Sequence, residues 1–160
     1  MATGKLDSLS INEMLFIGSR TNLLAYDVEN NKDIFDKEVS DGVNCLAFGT
    51  FTTVGEALIV SGGNCSITGF DIAADERFWT VTGDNASSIQ FMDWDDDGEE
   101  ELVVGSDDFS IRVFKNEEMI FDIQEQSKIQ YLRKINKQIF AYSLSNGAYG
   151  LYHGKKRLWR

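Results

Sequence analysis

The sequence predicts an all-β chain made of repeated antiparallel strands, and three observations carry that expectation. Strand–loop–strand segments recur in register about every 40–44 residues, no stretch shows the 3.6-residue apolar period of a helix, and 14 glycines but no proline punctuate the chain. Short runs rich in aromatic and β-branched residues lie between those glycines, the pattern of antiparallel strands joined by tight turns.

The repeats begin with MLFIGSRTNLLAYDV from Met14, followed by LIVSGGNCSITGFDI from Leu58, LVVGSDDFSIRVFKN from Leu102 and FAYSLSNGAYGLYHG from Phe140. Aligned on Tyr26, Phe70, Phe114 and Tyr152, they stand 44, 44 and 38 residues apart. The 44-residue step also carries Met14 to Leu58 to Leu102, Phe16 to Val60 to Val104, and Leu23 to Ile67 to Ile111. A further short strand follows each copy, marked by Ile34-Phe35, Phe78-Trp79, Ile120-Phe121 and Leu158-Trp159. One also precedes the last three copies: VNCLAFG from Val43, SSIQFMDW from Ser87 and KIQYLRKI from Lys128. The first copy lacks a convincing equivalent, LDSLSI from Leu6 being a poor candidate.

Four strands per unit at this period is the signature of β-propeller blades. The expected units are residues 1–40, 41–84, 85–125 and 126–160 of one domain. Middle strands such as LIV and LVV should be apolar on both faces, and an outer edge such as KRLWR should carry charge. Propellers close with roughly 4–8 blades, so the expectation is a slice of a larger propeller whose natural start is not Met1.

Composition narrows the function. The net charge of −11 disfavours nucleic acid and anionic lipid as partners, because both need clustered cations. No apolar run approaches roughly 18 residues, so no transmembrane helix is expected. Cys45 and Cys65 cannot build a disulfide framework and fit a reducing compartment. A single histidine, His153, leaves no catalytic constellation, and the expectation is a protein that is not an enzyme. Asn64-Cys65-Ser66 and Asn85-Ala86-Ser87 fit the glycosylation sequon but matter only in a secreted chain.

One loop has the chemistry of a site. Residues 93–101 read DWDDDGEEE, with Asp93, Asp95 and Asp97 at alternate positions, Gly98 next and Glu101 at the ninth. Ca²⁺ takes about six to eight oxygens, and alternating carboxylates on a tight turn converge on one point. Position twelve of an EF-hand would fall at Val104, so the fitting pattern is the shorter loop of FG-GAP repeats, with Asp93, Asp95, Asp97 and Glu101 as metal ligands for Ca²⁺. The same residues also suit a solvated acidic turn, where Asp and Gly serve the turn alone. The corresponding loop of the preceding unit, residues 50–56, has lost the acids apart from Glu56.

The strings GSRTNLLAYDVENN (18–31), GGNCSITGFD (62–71), FWTVTGDN (78–85), DWDDDGEEELVVGSDDFSIRVFK (93–115) and SLSNGAYGLYHGKKRLWR (143–160) resemble the N-terminal β-propeller of the BBSome subunit 2 (Bardet–Biedl syndrome protein 2) family. That family typically has Gly where this chain has Asp96. The resemblance implies an interaction platform in a cytoplasmic coat that serves ciliary membrane-protein trafficking and cilium assembly, at the cilium, its membrane and the basal body. Implied partners are other BBSome subunits and ciliary membrane-protein cargo. The competing expectation is an extracellular, integrin-like FG-GAP propeller that binds Ca²⁺ and an adhesion partner.

Overall fold

The computed structural model describes residues 1–5, 13–51 and 55–160. Among these residues, sixteen strands form four antiparallel sheets, each meandering in chain order. The first contains β1 (Ala2–Gly4), β2 (Met14–Gly18), β3 (Asn22–Asp27) and β4 (Lys32–Glu38). The second contains β5 (Cys45–Thr50), β6 (Ala57–Gly62), β7 (Ser66–Phe70) and β8 (Glu76–Val81). Next come β9 (Ala86–Met92), β10 (Glu101–Ser106), β11 (Ser110–Lys115) and β12 (Glu118–Gln124). The fourth has β13 (Ile129–Lys134), β14 (Ile139–Leu144), β15 (Tyr149–His153) and β16 (Lys156–Trp159).

The first strands lie side by side across sheets, β1 against β5, β5 against β9 and β9 against β13. This is blade packing in a propeller. Its innermost first strand is β1, a segment without an apolar pattern; LDSLSI lies outside the described residues.

Apolar faces drive the stacking, and each interface has its own cluster. Met14, Phe16 and Leu23 meet Ile59 and Phe70 between sheets one and two. Leu58, Val60 and Ile67 meet Phe91, Leu102 and Phe114 between two and three. Met92, Val103 and Val113 meet Leu132, Phe140 and Tyr152 between three and four. Every residue of β7 and β10 is buried, as strands covered on both faces require, whereas β16 is exposed throughout. Glycine sets the spacing at one point: a Cβ on Gly49 would overlap the Phe91 ring from the next sheet.

The aromatic register holds in three dimensions. Tyr26, Phe70, Phe114 and Tyr152 each follow the β-bulge where the third strand of a sheet meets the fourth. Their partners on the second strand are Leu15, Ile59, Leu102 and Phe140.

That pairing corrects part of the 44-residue alignment. Leu102 occupies the place of Ile59 rather than Leu58, and Glu101 and Val103 fall where Leu58 and Val60 stand. The cause is the hairpin. Four residues separate the paired Gly62 and Ile67, but five separate Gly105 and Ile111. The extra residue is accommodated by Phe109 at φ 74°, matched in the fourth sheet by Gly147 at φ 87°. A one-residue offset exchanges the faces of a strand, so Glu101 is directed inward at a position where the second sheet buries leucine.

Candidate functional site

The 93–101 loop joins β9 to β10, and its conformation follows from local turn chemistry. Asp96 has φ 65° and Gly98 φ 89°, so the chain turns sharply at both. Glycine enters that region without steric cost, and aspartate is among the side chains that tolerate it. Asp97 Oδ1 accepts the Glu99 N–H at 2.9 Å, a side-chain-closed turn. Glu101, fully buried, accepts the Trp94 N–H at 2.8 Å through Oε2 and closes the loop on itself.

Of the four carboxylates expected to converge, three do. Asp93, Asp95 and Glu101 each offer an oxygen within 4.8 Å of the other two. Asp97 stands outside this triangle and hydrogen-bonds Lys115. Asp93 is 93% buried (relative exposure 7%) beside buried Trp94. Among the described residues, neither oxygen of Asp93 has a hydrogen-bond partner.

Lys115, at the end of β11, is a part of the site that the sequence reading missed. Its Nζ lies 3.3 Å from Asp95, 3.4 Å from Glu101 and 3.9 Å from Glu99, besides the Asp97 contact. Burial, reinforced by the neighbouring Asp95 charge, raises the Glu101 pKa above the ordinary range against the opposing help of the Trp94 N–H and Lys115. The hydrogen bond to Asp97 raises Lys115, and Lys115 in turn lowers Asp97.

A signal for Lys115 existed in the repeat. The residue after each register aromatic is Asp27, Asp71, Lys115 and His153. Asp27 accepts the Asn30 N–H at 3.0 Å, and Asp71 accepts the N–H groups of Ala73 and Asp75 at 2.9 Å, so both brace the following turn. Asp71 also pairs with Arg77 at 2.6 Å. In the third sheet the charge at this position is inverted, and the facing loop is the acidic one.

The remaining candidates have structural settings. His153 Nε2 lies 2.8 Å from Gln138 Oε1 on the surface. Burial pushes the Cys45 thiol up to about 12, and Cys65 is exposed; both are free cysteines. Glu125 and Tyr152 form a buried polar pair between the third and fourth sheets, Tyr152 Oη donating to Glu125 Oε1 at 2.7 Å, and the exposed Arg157 hydrogen-bonds the same carboxylate.

Blades stacked in this order, with their inner strands side by side, define a segment of β-propeller. Two family models match the chain: ciliary BBSome complex subunit 2, N-terminal, over residues 1–49, and its middle region over residues 88–160. The chain belongs to the BBSome subunit 2 family. BBSome complex member BBS2 of Danio rerio is 43% identical over 160 residues, all of this chain and 22% of the relative. The Homo sapiens protein of that name is 45% identical over 148 residues, 92% of this chain and 20% of the relative. BBSome complex member bbs-2 of Caenorhabditis elegans is likewise 45% identical over 148 residues, covering 92% of this chain and 21% of its own. The chain thus spans about a fifth of the length of the curated relatives it matches.

Two solved structures share the fold at low identity. BBS1N in complex with ARL6DN superposes with a TM-score of 0.77 at 10% identity, over 96% of this chain and 47% of that one. The computationally designed Ika4 protein gives 0.73 at 16% identity, over 95% of this chain and 89% of that one.

Proposed function

We propose that the chain is a non-enzymatic protein–protein interaction scaffold of the BBSome, serving ciliary membrane-protein trafficking and cilium assembly. The observation that carries this reading is the 43–45% identity to BBSome members along nearly the whole chain. Its partners on this reading are other BBSome subunits and ciliary membrane-protein cargo, met in the cytoplasm, at the basal body and at the ciliary membrane. The physics of the fold supports such a role. Apolar side chains fill the sheet-to-sheet interfaces, leaving loops and outer edges as a rigidly spaced surface of charged residues and exposed aromatics such as Trp79 and Trp159 for recognition. With a net charge of −11, that surface favours partners with basic patches.

The test removes residues 1–160 from the full-length protein in ciliated cells and measures ciliary membrane receptors by quantitative imaging. The reading expects their ciliary content to change while the truncated protein is still made. Unchanged receptor content at normal protein abundance would overturn it.

A further inference from the structure

We propose that Asp93, Asp95 and Glu101 form a Ca²⁺ site, for which the Lys115 ammonium competes. Proximity of acids alone would not support this, since acidic turns are common. The independent observation is Asp93, whose carboxylate is buried yet has no hydrogen-bond partner for either oxygen among the described residues. Buried carboxylates are ordinarily paired, hydrogen-bonded or bound to metal, because an uncompensated charge away from water is costly. Lys115 hydrogen-bonds Asp95 and Asp97 and ion-pairs with Glu101 at 3.4 Å, but it makes no ion pair with Asp93, and Glu101 Oε1, like both Asp93 oxygens, has no hydrogen-bond partner among the described residues. The oxygen of Asp93 instead faces those of Asp95 and Glu101 within 4.8 Å.

Charge points the same way. Three carboxylates converge, and the one lysine among them is also shared with Asp97 and Glu99. A divalent ion supplies the charge that a single ammonium lacks. Ligand chemistry favours calcium, whose flexible shell takes about six to eight oxygens, whereas Mg²⁺ demands near-ideal octahedral geometry and gives up its waters reluctantly. The three convergent carboxylates supply part of that shell, and the exposure of Asp95 lets solvent complete it. The one-residue offset of the third hairpin explains why the second sheet has no counterpart to Glu101: Leu58 stands there.

Tb³⁺ luminescence tests this directly, because Trp94 lies between two of the ligands and can sensitise the ion. Tb³⁺ should give tryptophan-excited emission that Ca²⁺ displaces and Mg²⁺ displaces poorly. Trp94→Phe should lose the emission but keep Ca²⁺ affinity by calorimetry. Asp95→Asn, at an exposed position that leaves the fold intact by circular dichroism, should weaken Ca²⁺ at least tenfold. Removing the competitor in Lys115→Gln should tighten it roughly tenfold. If neither the parent chain nor Lys115→Gln binds Ca²⁺ at millimolar concentration, or if Asp95→Asn binds as tightly as the parent, the proposal is wrong and Lys115 is the resident counter-ion.

Discussion

Tyr152 Oη donates to Glu125 Oε1 at 2.7 Å, tying the segment just after the third sheet to the third strand of the fourth. Both side chains are buried, and Arg157 shares the carboxylate. A hydrogen bond to a buried charge contributes about 1.5–3 kcal/mol, so Tyr152→Phe should destabilise the chain by roughly 1–3 kcal/mol. Urea titration followed by circular dichroism measures it.

The same pair predicts an alkaline transition. Burial, followed by the hydrogen bond to Glu125, raises the Tyr152 pKa above its ordinary value. The neutral phenol is therefore favoured in the fold. This contribution is fully present below the unfolded pKa of about 10 and is lost as pH rises toward the folded one. The parent chain should lose stability between pH 10 and 11, values set by that unfolded pKa of about 10, more steeply than Tyr152→Phe. Equal slopes would contradict the assignment.

Lys115→Met should lower the melting temperature in calcium-free buffer, because Asp95, Asp97 and Glu101 lose their shared cation. Added NaCl screens the resulting repulsion, so the deficit should shrink as salt rises. A deficit indifferent to salt would mean that Lys115 acts through packing.

Close contact between the second and third sheets depends on Gly49. The Cβ of Gly49→Ala would meet the Phe91 ring, which itself packs edge-on against Phe51 at 5.3 Å. Overpacking of this kind costs roughly 1–3 kcal/mol. Pairing the substitution with Phe91→Leu should recover part of that loss in thermal melts.

The outer face of the fourth sheet exposes Tyr131, Tyr149 and Trp159, the last two in edge contact at 5.3 Å. Contiguous exposed aromatics favour association. The isolated chain should therefore show concentration-dependent self-association in sedimentation velocity, reduced in Tyr149→Ser plus Trp159→Ser. A monodisperse parent across the concentration range would refute this.

The repeat was legible because side-chain alternation and an aromatic at each bulge are local features that survive in sequence. Tyr26, Phe70, Phe114 and Tyr152 accordingly gave the true register of all four third strands. The facing of Glu101 was not legible. It depends on a five-residue hairpin turned by Phe109 at positive φ, a conformation that a phenylalanine does not advertise. Strand β1 was missed since Ala2–Gly4 has almost no side chain with which to show alternation. Within the acidic loop, composition identified the carboxylates but could not separate Asp97, aimed at Lys115, from the three that converge. Lys115 itself lies 14 residues beyond Glu101 and becomes a neighbour only once β10 and β11 pair.

The scaffold reading is tested most directly by quantitative co-purification of the other BBSome subunits with the full-length protein, with and without residues 1–160. The account predicts that at least one subunit is lost from the complex when these four blades are removed, while the truncated protein itself is recovered at normal yield. An unchanged set of subunits at unchanged stoichiometry would contradict it.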